Sequence, residues 1–264
     1  MKVLPIISAL SVLWLPAALA TEAPAQPPKD GMLLWLKADA GVALDDSGRV
    51  KEWADQSGQG LNAVQDEPER RPLLIASAID GKPALQFEAR NTVLSTEPVA
   101  PPPQFSIFLV VSLNGQGYSH LIQWAPAGGA AATSVLNIMS GPKDGNGLYL
   151  YGDGGIVELT SPDLSLDWLE SGAASLAEVI ADGYAGTTTL LRNGEAVGNS
   201  DAPFGNLRGS GKPRPLHVGG ATGGFPSANG FIAEVLIYEA ALSDEVRQAV
   251  ENYLAAKYGL SLAR

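Results

Sequence analysis

Nine Asn-Gly or Asp-Gly dipeptides punctuate the 264-residue chain, beginning at Asp30, Asp80, Asn114, Asp144, Asn146, Asp153, Asp182, Asn193 and Asn229. Both residues of such a pair tolerate positive φ, which the tightest antiparallel hairpin turns require. A chain broken this often has little room for long helices, so the spacing predicts a hairpin-rich, all-β fold. Short apolar or alternating segments fill the intervals: Leu33–Leu36, Ala84–Phe87, Phe105–Val111, Leu121–Trp124, Gly147–Tyr151, Ala177–Ala181, Thr187–Arg192, Leu216–Val218 and Phe231–Tyr238. Phe105–Val111 is nearly all apolar, as a strand buried on both faces must be, whereas Leu148 and Leu150 alternate with Tyr149 and Tyr151.

Helical periodicity is convincing only at the end. Ser243 suits an N-cap, Asp244 and Glu245 suit the positive first turn, and Val246, Val250, Tyr253, Leu254 and Tyr258 form one stripe before Gly259. A helix over 243–258 is predicted, covering an open end or edge of the sheets. At the other end Lys2 precedes an apolar run, Val3–Leu19, interrupted by Pro5 and Pro16 and closed by Ala18-Leu19-Ala20. That is the pattern of a cleaved secretory signal over residues 1–20, and it falls short of the roughly 20 residues of a spanning helix. The expected product is secreted or periplasmic, with no membrane insertion after cleavage. A proline-bearing tether (21–30) and one folded domain (31–264) follow.

The mature 244 residues carry no cysteine, so apolar burial over a large area must stabilise the fold, and thiol catalysis and cysteine-ligated zinc are excluded. The whole chain has a formal charge of −11. Such a field repels nucleic acid.

Leu34-Trp35-Leu36-Lys37-Ala38-Asp39, then Trp53-Ala54-Asp55-Gln56-Ser57-Gly58, Arg71-Pro72, Gly81-Lys82-Pro83-Ala84-Leu85 and Phe231–Tyr238 occur in the order shown by bacterial LamG-like domains, which the chain resembles over nearly its whole mature length. The resemblance implies a two-sheet antiparallel jelly-roll of the concanavalin A-like lectin/glucanase superfamily, with a C-terminal α-helix. It marks Trp35, Trp53, Asp55, Ser57, Gly58 and Glu234 as structural motif positions. Superfamily members include lectins, calcium-binding adhesion modules and polysaccharide-cleaving enzymes, so the fold alone does not settle activity.

Jelly-roll glucanases carry E-x-D-x-x-E on one strand; here Glu234 and Glu239 have the outer spacing, but Leu236 stands at the middle acid, and an ordinary strand sends residues five apart to opposite faces. Glu234 is instead expected to be a scaffold residue bonding a neighbouring loop. His120 and His217, the two histidines, form no ligand motif. Asp55 is expected to organise a turn by accepting backbone N–H bonds, the alternative being calcium held with Asn62 and Asp66. No cofactor is required by any motif, and calcium is the one cation the oxygen-rich loops would suit. Tyr149 and Tyr151, about 6.6 Å apart along a strand, with Trp124 and Tyr118, are the candidate ligand-binding aromatics, since aromatic faces stack on sugar rings. The resulting expectation is a non-catalytic binding module for a glycan or cell-surface ligand. The alternatives are a polysaccharide-acting glycosidase or lyase of the same fold, and a structural or adhesion module that binds protein.

Overall fold

The computed structural model describes residues 26–88, 92–114, 119–125, 136–140, 148–152, 155–159, 172–200, 212–221 and 227–263. Two antiparallel sheets contain most of its strands. The eight-stranded sheet joins β1 (Met32–Lys37), β5 (Leu73–Ile79), β6 (Lys82–Phe87), β8 (Gln104–Leu113), β13 (Ser175–Asp182), β14 (Thr187–Arg192), β15 (Glu195–Ser200) and β17 (Gly230–Tyr238). The seven-stranded sheet joins β2 (Val42–Leu44), β3 (Val50–Trp53), β4 (Ala63–Val64), β7 (Leu94–Ser95), β9 (Ser119–Trp124), β10 (Leu136–Ser140) and β16 (Leu216–Val218). A separate hairpin pairs β11 (Leu148–Gly152) with β12 (Gly155–Leu159).

Over the described residues every strand segment read from the sequence lies in an observed strand, Gly147 alone falling outside them, and the turn chemistry explains two of the hairpins directly. Asp80-Gly81 joins β5 to β6 with φ of 46° and 70°, and Asn193-Gly194 joins β14 to β15 with φ of 48° and 82°. Those paired positive values give the turn the twist that the flanking strands need.

The first core lies between the sheets. Along β8 the odd residues Phe105, Ile107, Leu109, Val111 and Leu113 point into it, meeting Trp53, Leu94, Ile122, Trp124 and Val218 from the other sheet. The even residues Phe108 and Val110 point the other way, into a second core with Trp35, Leu236 and Tyr238. Helix α1 (Asp244–Tyr258) closes that second core with Val250, Tyr253, Leu254 and Tyr258. It therefore covers the outer face of the eight-stranded sheet rather than an end or edge of the sandwich. The continuous apolar run of β8 required this cover, because its outward residues would otherwise face water. Ser243 occupies the N-cap position without making a side-chain bond, and Gly259 closes the helix in the left-handed conformation at φ 63°. Among the described residues no helix is long and apolar enough to cross a membrane.

Strand β17 is the axis of the fold. One edge pairs with β8; the other takes β6 along Gly230–Ile232 and β1 along Glu234–Tyr238. A register shift against β8 falls between Ile232 and Glu234. Ile232 and Val235 both face the inner core. The extra residue re-aims Glu234 towards the helix, as a bulge does.

Candidate functional site

The motif residues marked by the sequence are bonded to, or buried against, other parts of the fold. Asp55 Oδ1 accepts the backbone N–H groups of Trp35 and Ser57, both at 2.9 Å. Its Oδ2 accepts the Ser57 hydroxyl at 2.7 Å and the N–H groups of Gly60 and Leu61 at 2.9 and 3.2 Å. Gln56 N–H donates to the Trp35 carbonyl at 2.8 Å, so this loop covers the edge of β1 that β17 leaves unpaired. Gly58 sits within it at φ 102°, a conformation side chains resist.

Asn62 accepts Asp55 N–H at 3.0 Å and donates to Glu52 Oε1 at 2.7 Å. The third expected calcium ligand, Asp66, is exposed, and its carbonyl accepts Arg71 Nη2 at 2.8 Å, so a guanidinium already lies there. Five donors on the roughly four lone-pair sites of a carboxylate leave Asp55 none for a cation. Among the described residues no group of three His, Asp or Glu is placed to hold a metal. We expect identical melting curves in EDTA and in millimolar calcium; a melting temperature that climbs with calcium would contradict this reading of the loop.

Glu234 is fully buried and bonded on both oxygens. Oε1 accepts Trp35 Nε1 at 2.6 Å and the Tyr253 hydroxyl at 2.9 Å; Oε2 accepts Lys257 Nζ at 2.7 Å and the Tyr258 hydroxyl at 2.8 Å. Its partners are thus β1 and α1, not a neighbouring loop. Burial raises the Tyr253 and Tyr258 pKa values, so both phenols stay protonated and donate. Trp53 lies wholly within the inner core.

Trp124 is also wholly buried: it faces the inner core and its Nε1 donates to the carbonyls of Val99 and Arg214, both at 3.1 Å. It presents no ring to a ligand. Tyr149 and Tyr151 occupy β11, backbone-paired with Glu158 and Ile156, but their side chains, like Tyr118, lie outside the described residues.

The face left uncovered by α1 is the outer face of the seven-stranded sheet, and a row of hydrogen-bonding residues crosses it. In register from strand to strand stand Glu52, Val64, Ser95, His217, Gln123 and the backbone position of Asn137. Flanking rows point inward: Trp53, Ala63, Leu216 and Trp124 on one side, Leu94, Val218 and Ile122 on the other. Alternation therefore turns the polar row outward. His217 and Gln123 are buried, Ser95 and Glu52 half-buried, and Val64 exposed, so the row opens towards β3 and β4. His217 Nδ1 lies 2.7 Å from Ser95 Oγ, and its Nε2 lies 3.3 Å from the Ala125 carbonyl. Burial, with the charge of nearby Arg70, pushes the imidazole down to about 4, so it is neutral at physiological pH. The sequence reading did not single out Glu52, Ser95, His217 or Gln123 for binding. The usable signal was a polar residue between core residues in Leu216-His217-Val218 and Ile122-Gln123-Trp124.

Fold and site together define an antiparallel β-sandwich with one face closed by a helix and the opposite face polar. No protein-family model matches the sequence, and no curated protein matches it. Among solved structures, domain 4 of AbnA, a GH43 extracellular arabinanase from Geobacillus stearothermophilus solved with arabinotriose, is similar with a TM-score of 0.59 and 15% identity, over 84% of this chain and 98% of that one. Trypanosoma rangeli sialidase with the inhibitor DANA is similar at TM-score 0.55 and 16% identity, over 89% of this chain; the likeness spans only 34% of the sialidase. The botulinum neurotoxin serotype D ligand-binding domain, solved with N-acetylneuraminic acid, is similar at TM-score 0.53 and 12% identity, over 84% of this chain and 51% of that one. At these identities the likeness is one of fold.

Proposed function

We propose that the protein is an exported, non-catalytic module that binds a glycan on the outer face of its seven-stranded sheet. The observation that carries this reading is the in-register polar row Glu52–Ser95–His217–Gln123, on the face opposite α1. The half-buried Ser95 hydroxyl and Glu52 carboxylate suit sugar hydroxyls, with Val64, 38% exposed, as apolar footing between them, while buried His217 and Gln123 back the row at its closed end. A sandwich of similar fold solved with the neutral sugar arabinotriose lends it support.

A hydrolase reading would need two carboxylates flanking one bond. Glu234 cannot serve, since four donors from Trp35, Tyr253, Lys257 and Tyr258 enclose it beneath α1. The experiment is a glycan array on the mature protein beside Val64→Arg, which sets a bulky charge on this face without entering the core. Glycan signal should be lost in the variant while its melting temperature stays within about 1–2 °C of the parent, as expected for a surface change. Equal binding by both proteins would move the site elsewhere, and release of reducing ends from the bound glycan would overturn the non-catalytic reading.

A further inference from the structure

The hydrogen positions in the Ser95–His217 pair follow from the partners. A carbonyl only accepts, so the contact with Ala125 O requires the proton on His217 Nε2. In the neutral ring Nδ1 then carries a lone pair, and the 2.7 Å contact is Ser95 Oγ–H donating to it. Ser95, on the half-buried part of the row, is thereby left with its two lone pairs as its means of meeting a ligand. Turning its hydrogen outward would strand a buried ring nitrogen without a partner.

Glu52, two strands away in the same row, is an acceptor for the same purpose. Its orientation is also fixed from behind: the Asn62 side-chain oxygen accepts Asp55 N–H, and its amide N–H donates to Glu52 Oε1. An anionic ligand oxygen arriving at either position would meet lone pairs or a carboxylate, in a protein whose formal charge is already −11. Sugar hydroxyls, each with a hydrogen to give, meet both positions favourably.

We propose that Ser95, locked by His217, and Glu52 form an acceptor station that selects uncharged glycans through the hydroxyl hydrogens they donate and discriminates against carboxylated or sulfated ones. This rests on the glycan-binding reading of the same face.

Two measurements test it. In native gels containing arabinan, xylan or mixed-linkage β-glucan, at least one neutral polymer should retard the protein, and the sulfated derivative of that polymer should not. Ser95→Ala should weaken retardation roughly 5–10-fold, the scale of one lost hydrogen bond, while Ser95→Thr, which keeps the oxygen, should retain it. Independently, long-range 1H–15N spectra of His217 should show Nε2 protonated and Nδ1 bare between pH 6 and 8. Retardation by the sulfated polymer equal to that by its parent, or a proton on Nδ1, overturns the acceptor station and leaves glycan binding standing. Absence of retardation by every polymer, neutral or charged, together with an empty glycan array, removes the binding reading and the selectivity with it.

Discussion

Glu178→Gln is expected to stabilise the protein at neutral and alkaline pH and to flatten its stability between pH 5 and 9. Glu178 projects from β13 to the outer face of its sheet, where α1 covers it completely. Oε1 accepts Gly194 N–H at 2.8 Å, and among the described residues no N–H or neutral hydroxyl reaches Oε2. Beside the Glu178 carboxyl lies another carboxylate, Glu251 of α1, itself ion-paired with Arg247 and lining a groove of about 390 Å³ beside the β14–β15 turn. Two carboxylates can adjoin in a buried site only by sharing a proton. Burial first, then the bond and charge of Glu251, push Glu178 up to about 9, against a partial counter-effect from Gly194 N–H and Arg247.

The direction of the pH effect follows from where the proton is held. Unfolded, Glu178 loses its proton near the ordinary value of 4.5; folded, it keeps it up to about 9. Its contribution to stability is therefore complete below the lower value, declines as pH rises between the two, and has gone above the upper one. The limiting slope is about 1.4 kcal/mol per pH unit, so the parent should lose about 2–4 kcal/mol between pH 5 and pH 8. Glutamine reproduces the protonated form, with an oxygen for Gly194 N–H and an amide hydrogen for Glu251, at no cost in protons. Urea midpoints measured from pH 5 to 9 should coincide for parent and variant at the acid end and diverge above it. Parallel curves across the range would mean that Glu178 is ionised in the fold.

How much of this arrangement could be read from the sequence depended on the range over which each feature is decided. The hairpins at Asp80-Gly81 and Asn193-Gly194 were legible because two adjacent residues with positive φ decide them. Asp55 was legible as a loop organiser for the same reason: most of its donors, from Ser57 to Leu61, lie within six residues. The polar row was not, since its members come from residues 52 to 217 and meet only through strand register, which no local pattern encodes. Trp124 shows the same limit from the other side. An aromatic residue ending a strand suits a sugar platform or a core equally, and only its pairing with Leu216 and Leu136 fixes its inward face. Glu234 defeated the strand rule because a bulge at Ala233 changes the alternation after Ile232, and the outward turn it gives Glu234 brings that carboxylate to α1.

That bulge sets up the largest expected single-residue effect in the molecule. Lys257→Ala should destabilise the fold by about 3–5 kcal/mol, the usual cost of removing one partner from a buried ion pair. Lys257 Nζ donates to Glu234 Oε2 at 2.7 Å and to Asp39 Oδ1 at 3.0 Å, and lies 5.2 Å from the centre of the Tyr258 ring. Its removal leaves Glu234 in the second core with three neutral donors and without its ion-pair partner. The attraction is offset in the parent by the cost of desolvating both ions, so restoring neutrality should recover more stability than restoring contact. Glu234→Gln combined with Lys257→Met keeps the volumes and removes both charges; it should stand within about 1–2 kcal/mol of the parent, a strongly non-additive double-mutant cycle. Chemical denaturation of the parent, the two single variants and the double variant gives the coupling directly. Additive losses would show that Glu234 and Lys257 act separately, and that α1 is held to its sheet by the apolar contacts of Val250, Tyr253, Leu254 and Tyr258 alone.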